Sequence, residues 1–146
     1  MTAPVHHRRL KQIVFTIGGT EFQTQITSWN VDPGEKDGDR VYTYGTTSNS
    51  NSFVEETDGE PTLELKWVSD WRAGGLDDYL WSNNNVEADF QLDHHPDIAG
   101  EHVRWTGRVL LKAPPAGDEA RKTEMSEIKL SILGTLGDGL DYERIG

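Results

Sequence analysis

The chain contains no cysteine, which excludes a disulfide framework and any zinc site built on thiolates. Basic residues are scarce too. Fourteen Lys and Arg stand against 25 Asp and Glu, for a net charge of −11 and a pI near 4.7. Nucleic-acid affinity comes largely from cations that displace counterions from phosphate, so this balance argues against a nucleic-acid binder. The same charge keeps copies soluble and repels them at a distance. No apolar run approaches the roughly 18 residues of a membrane-spanning helix. The opening MTAPVHHRRLKQ is basic but lacks an apolar core, so it does not read as a signal peptide. The expectation is a chain made and used in a cytoplasm, or released from one without a secretion signal.

Catalytic motifs are missing as well. The sequence shows no phosphate loop, dinucleotide fingerprint, nucleophile elbow or helical HExxH. No enzyme and no cofactor is expected from it. The apolar fraction is only 34% of 146 residues. A chain of about 150 residues folds as one domain that buries roughly 68–70% of its unfolded surface. Residues 1–146 are therefore read as a single domain whose core comes from a strand-rich subset.

What is present is alternation. Residues 1–11 read as a flexible basic arm. Gln12–Ile17 then places Ile13, Phe15 and Ile17 on one face, and Thr20–Thr27 does the same with Phe22, Thr24 and Ile26. Gly18-Gly19 between two such runs predicts a hairpin with a primed turn. Thr62–Ser69 alternates Leu63, Leu65 and Trp67 against Glu64 and Lys66. Val86–Asp93 alternates Val86, Ala88, Phe90 and Leu92 against Glu87, Asp89 and Gln91. Val103–Lys112 and Glu127–Gly134 follow the same rule. Only Gly75–Trp81 has helical spacing, with Leu76, Tyr79 and Leu80 on one stripe and Asp77 and Asp78 in the first turn. At two turns it must lie on a sheet. Thr135–Gly146 reads as a loose acidic tail. The expected fold is mainly β: an antiparallel β-sandwich or flattened barrel with one short flanking α-helix and a long arm.

That arm is Asn30–Pro61, a polar segment rich in Gly and Asn whose few apolar spots include Val41, Tyr42, Tyr44, Phe53 and Val54. A structureless loop of this length is uncommon inside a compact domain. Two readings fit. Arg40–Thr47 and Ser52–Glu56 pair as a hairpin around the tip Gly45–Asn51, or the segment stays mobile until a partner orders it. Charge is distributed unevenly around it. Asp32–Glu60 carries eight acids (Asp32, Glu35, Asp37, Asp39, Glu55, Glu56, Asp58, Glu60) against Lys36 and Arg40, a net of −6. Residues 1–12 carry Arg8, Arg9 and Lys11 and no acid. Arg121 and Lys122 add a second basic patch. An acidic arm and basic patches elsewhere suit head-to-tail contact between copies; solubilising charge is the plainer alternative.

Other clusters favour ordinary explanations. Asp93-His94-His95-Pro96-Asp97 holds metal-ligand types, but neighbours at a strand end point to opposite sides, so a polar turn is preferred. Asp32, Glu35, Asp37 and Asp39 lack the EF-hand spacing and read as solvated. No metal is expected. Trp67 and Trp105 fall on apolar strand faces and read as core. Trp71 and Trp81 read as staples between helix and sheet, rather than as a sugar-stacking surface. The pairs Glu55-Glu56 and Asp77-Asp78 read as solvated charge.

The order and texture of IVFTIGGTEF, the long acidic loop, TLELKWV, GLDDYLW, VEADFQLDHHPD, VRWTGRVLL and EIKLSILG resemble the major tail tube proteins of long-tailed bacteriophages, especially those of actinobacterial hosts. The resemblance covers roughly residues 12–134. It implies a structural virion protein whose hexameric rings stack into a tube for DNA passage. The long loop, 31–61, would reach a neighbouring ring through Asp32, Glu35, Asp37, Asp39, Arg40, Tyr42, Tyr44, Phe53, Glu55 and Glu56. Glu87, Asp89 and Gln91 would line the lumen. Arg8, Arg9, Arg104, Arg108, Arg121 and Lys122 would meet acids of other subunits. Partners would be copies of the chain and the tape measure, tail terminator and distal tail or baseplate proteins. Location would be the virion tail, after assembly in the host cytoplasm. Another tail ring protein, or a carbohydrate-binding β-sandwich, are the alternatives.

Overall fold

A computed structural model describes residues 6–146. The chain runs through β1 (Ile13–Ile17), β2 (Thr20–Glu21), β3 (Ile26–Asp32), β4 (Arg40–Tyr42), β5 (Ser52–Val54), β6 (Thr62–Val68), α1 (Leu76–Ser82), β7 (Glu87–His94), β8 (Val103–Leu110), β9 (Met125–Ser131), β10 (Thr135–Leu136) and β11 (Gly139–Arg144). One sheet has the order β10-β11-β8-β7-β1-β2 and a second has β3-β6-β9, while β4 and β5 form a two-stranded sheet of their own. Every pairing is antiparallel except that of the two-residue β10 on β11. The two larger sheets face each other as a sandwich. They meet at an isolated bridge between Val109 and Ile132 and do not close into a barrel.

Alternation places the core as expected. Phe15 and Ile17 of β1, Leu63, Leu65 and Trp67 of β6, Phe90 and Leu92 of β7, and Val109 of β8 are all buried. Each comes from a run in which buried apolar residues recur at every second position, so each sheet has one dry and one wet face.

Two elements depart from expectation. Gly18 and Gly19 both have positive φ (59° and 84°), and Ile17 pairs with Thr20 across them, which is a primed two-residue turn. The returning strand nevertheless ends after Glu21. Phe22 turns into the core, its amide still bound to the Phe15 carbonyl at 2.9 Å. A turn at Gln23–Gln25 then carries the chain to the other sheet, where β3 pairs with β6. Thr24 is exposed rather than buried. The supposed C-terminal tail, 135–146, is instead structural. Asp141–Arg144 pairs with Val103–Thr106 of β8, and Leu140 is 1% exposed. Of the N-terminal arm, residues 1–5 lie outside the described residues. Residues 6–12 are in no strand, and Arg8 Nε donates to Glu101 Oε2 at 2.7 Å.

The helix is held by a buried acid. Asp77 is 0% exposed, contrary to its reading as solvated first-turn charge. Its Oδ2 accepts from Trp67 Nε1 at 2.9 Å and from the Asp70 amide at 2.7 Å, and its Oδ1 accepts from Ser126 Oγ at 2.6 Å. One carboxylate thereby ties α1 to β6, to the loop after it and to β9. Gln25 Oε1 accepts from the Leu76 amide at 3.1 Å, which satisfies a helix N-terminus that has no side-chain cap of its own. Val86, expected on the buried face of its strand, precedes β7 and is exposed.

Removing the acceptor should be costly. Asp77→Ala strands three donors, two of them in buried bonds and one in a part-buried bond, and is expected to lower unfolding free energy by about 3 kcal/mol or more. Asp78→Ala, one residue on and half-buried, should stay within about 0.5 kcal/mol. Urea denaturation of the two variants compares them, and equal losses would contradict the role given to Asp77.

Candidate functional site

Three features stand apart from the packed sandwich: a projecting hairpin, an acidic sheet face and an exposed tryptophan pair. The hairpin is built from the long polar segment. Arg40–Tyr42 pairs with Ser52–Val54. Backbone bonds extend the ladder, from Thr43 N to Asn51 O (2.8 Å), Glu55 N to Asp39 O (2.8 Å) and Gly38 N to Glu55 O (3.2 Å). Its base closes where the Glu60 amide meets the Gly34 carbonyl at 3.4 Å. Of the two expected forms of this segment, the structure has the paired arm, with strands of three residues rather than eight and five. Register puts Tyr42 and Val54 on one side and Val41 and Phe53 on the other. Neither side lies on a third strand. Tyr42 and Tyr44 are 76% and 106% exposed, and Glu35, Asp37, Asp39, Arg40, Phe53, Glu55 and Glu56 are exposed with them. Asp32 is engaged locally, its Oδ1 accepting from the Gly34 amide at 2.8 Å. No group of three or more His, Asp or Glu side chains is arranged to hold a metal among the described residues.

The wet face of the six-stranded sheet carries the strand-borne candidates. Register aligns Asp89 with Arg108, Gln91 with Thr106 and Asp93 with Arg104. Beyond β8 it aligns Thr106 with Asp141 and Arg104 with Glu143. Gln91 pairs with Thr16, which pairs with Glu21. Glu21, Glu87, Asp89, Asp93, Asp141 and Glu143 thus share one face with Arg104 and Arg108, a net of −4. The wet face of the three-stranded sheet is balanced instead, Glu64 lying opposite Lys129 and Lys66 opposite Glu127.

Arg104 and Arg108, expected to meet acids of another subunit, are engaged within the chain. Arg108 bonds Asp89 (3.2 Å) and Glu87 (3.3 Å). Arg104 forks onto the buried Asp93 at 2.7 and 3.0 Å, and His102 Nε2 lies 3.0 Å from the same carboxylate. Burial pushes Asp93 up, but the bonds from Arg104 and His102 outweigh it and hold the carboxyl below its ordinary range. Intrachain pairing also takes Lys122, which bridges to Glu119 at 2.9 Å, and Arg8 (above). Arg9 and Arg121 make no ion pair among the described residues.

His94 and His95 were expected to diverge. His95 instead has φ of 53°, and this left-handed residue swings its ring back until the two imidazoles stack at 3.8 Å between centroids. Trp29 lies edge-on to His94 at 5.1 Å, and Trp105 is 6.1 Å away. His94 Nδ1 is buried and has no hydrogen-bond partner among the described residues. Burial, then the neighbouring His95 charge, lowers the His94 pKa.

The tryptophans divide three ways. Trp67 is core, and Trp29 and Trp105 are half-buried against each other at 5.7 Å. Trp71 and Trp81, read as staples, are exposed at 44% and 49%. Their centroids are 6.3 Å apart with planes tilted by 47°, and Trp71 Nε1 donates to Glu124 Oε1 at 3.0 Å. Sequence reasoning missed this pair and the acids of β11. The alternation Leu140-Asp141-Tyr142-Glu143 would have signalled the latter; no local pattern announces the former.

No family model matches the chain, and no curated protein matches it in sequence. The functional reading therefore rests on the geometry above.

The histidine stack has a pH consequence. A His94 pKa below the ordinary 6.5 means that the unfolded chain takes up a proton before the folded one does, so stability falls as pH drops below that value. Asp93, held below 3.8, stabilises above that range and loses its contribution only in stronger acid. Stability should therefore decline as pH falls below about 6.5, and His94→Phe should flatten that decline. Urea titrations across that range measure it; an unchanged slope in the variant would assign the effect elsewhere.

Proposed function

We propose that this chain is a structural subunit that self-assembles into stacked rings forming a tail tube, the role of the major tail tube proteins it resembles. The observation that carries the reading is the hairpin: a two-stranded arm with exposed aromatics on a sandwich that gives neither of its sides a sheet to lie on. A lone hairpin is marginal in water, and its aromatic side chains gain burial only against another molecule. The assembly role supplies that molecule as a second copy.

The acidic sheet face suits the channel in the same reading. Glu87, Asp89 and Gln91 would face passing DNA together with Asp141 and Glu143. Phosphate finds no counterion-releasing cation there, because Arg104 and Arg108 are already satisfied by Asp93, Asp89 and Glu87. DNA then slides without binding. Unpaired edges at β3 and β9 of the small sheet offer strand pairing to adjacent subunits. Other tail proteins (tape measure, terminator, distal tail or baseplate) would meet the ends of the tube in the virion.

One observation favours a second reading. A glycan-binding module would use exposed tryptophans, and Trp71 and Trp81 are exposed. Their 47° tilt departs from the coplanar platform that stacking on a flat sugar requires.

Deleting residues 34–58 tests the assembly role. The segment's ends are adjacent, so excision should leave the sandwich folded with near-native circular dichroism. Tubes or rings seen by negative-stain electron microscopy in the full chain should be absent from the variant. Normal tubes after deletion would overturn the role given to the hairpin. Glycan-array binding that is lost in Trp81→Ala would favour the second reading.

A further inference from the structure

We infer that the exposed Trp71–Trp81 pair is the receptor for the hairpin of a second copy of the chain. This rests on the self-assembly reading above and names the surface it leaves open.

Position supplies the first argument. Strand β6 joins the two features: the hairpin closes into its first residue, Thr62, and Trp71 follows three residues after its last, Val68. A seven-residue strand spans roughly 20 Å. The hairpin and the tryptophan pair therefore sit at opposite ends of one strand. Two different patches at opposite ends make a heterologous contact, which repeats along a line instead of closing into a dimer.

Chemistry supplies the second. Tyr42 and Tyr44 are left open by the described residues, and about half of each of the two indoles is exposed as well. Aromatic faces of this kind are the usual anchors of protein interfaces. The Trp71 ring is already fixed by its bond to Glu124, so little freedom is lost on docking.

Charge supplies the third. The hairpin segment carries a net of −6 (Asp32–Glu60). Two cations close to the tryptophans in the chain make no ion pair among the described residues: Lys112, bonded to Asn85 just after α1, and Arg121, three residues before Glu124. The acids there are hydrogen-bonded within the chain, Glu124 to the Trp71 indole itself, and two of them are paired with Arg72 and Lys122. Asp70 is bonded by Arg72, Glu119 by Lys122, and Asp118 accepts from the amides of Glu119 and Met125. Arg8 and Arg9, the other basic candidates, lie before β1, and Arg8 is held by Glu101.

The absence of native cysteine gives a clean test. A chain carrying both Tyr44→Cys and Trp81→Cys, oxidised at a concentration where the full-length protein assembles, should give a ladder of covalent dimers, trimers and higher species. Each single variant should give at most a dimer. A control pairing Tyr44→Cys with Thr20→Cys, in the β1–β2 turn, should give no ladder. Separately, Trp71→Ala with Trp81→Ala should raise the concentration needed for assembly by roughly thirtyfold, with the thermal midpoint close to that of the parent. If the full-length chain forms tubes but the Tyr44–Trp81 ladder does not exceed the control, this receptor is wrong and the assembly reading stands. If neither tubes nor ladders appear at any concentration, both are wrong.

Discussion

The architecture depends on one buried carboxylate. Asp77 sits where a short helix without a cap of its own must be held against a sheet, and two turns of helix do not hold themselves. Desolvating a carboxylate is unfavourable unless both of its oxygens find donors. Three donors from three places in the chain supply that: an indole of β6, a backbone amide of the following loop and a hydroxyl of β9. Ser126 in turn lies 2.7 Å from Ser69 Oγ, so the ends of β6 and β9 are tied by the same network that holds α1. With the helix fixed, Leu76 and Leu80 close one side of the core, and Trp71 and Trp81 are left on the outer surface. The placement of the exposed pair is thus a consequence of the buried one.

Much of this fold is legible in the sequence because alternation is a strong signal wherever a strand has one dry face. β6, β7 and β8 are found within a residue or two of their expected bounds for that reason. The failures share a cause. Phe22-Gln23-Thr24-Gln25-Ile26 continues the alternation of β2 without a break, yet the chain turns at Gln23 and changes sheets; period-2 patterning marks which way side chains face and not which strand they pair with. β11 is short, acidic and follows several glycines, so its single deeply buried residue, Leu140, was outweighed by composition. Asp77 was misread because its burial depends on Trp67 and Ser126, which are 10 and 49 residues away.

Site residues were legible in kind and not in pairing. The outward positions Glu87, Asp89 and Gln91 follow directly from strand period. That Arg104 and Arg108 are satisfied at home follows only from register, which aligns each with an acid on β7. Such pairs contribute little stability at an exposed position like Arg108. Their larger effect is electrostatic: each guanidinium that is held by a carboxylate is one fewer free cation on an acidic face. The His95 geometry was out of reach for a different reason, since a left-handed residue other than Gly has no sequence signature beyond a mild preference.

The hairpin brings the folding and assembly arguments together. Its ladder is satisfied along its length, so backbone hydrogen bonds are not what it lacks; it lacks a surface. Two strands with aromatics on both sides bury almost nothing by themselves, and ordering each residue costs roughly 1–2 kcal/mol of backbone entropy. Its acids repel one another and make the isolated arm less favourable still. Both penalties fall when a partner brings apolar area and positive charge together, and neither falls with either alone. In the proposed assembly, an arm of this composition would be weakly held in dilute protein and fixed on contact, which would separate a free subunit from an assembled one without any change in the core. In that proposed assembly the −11 charge would act in the same direction, keeping subunits apart until a specific, locally complementary contact outweighs the long-range repulsion.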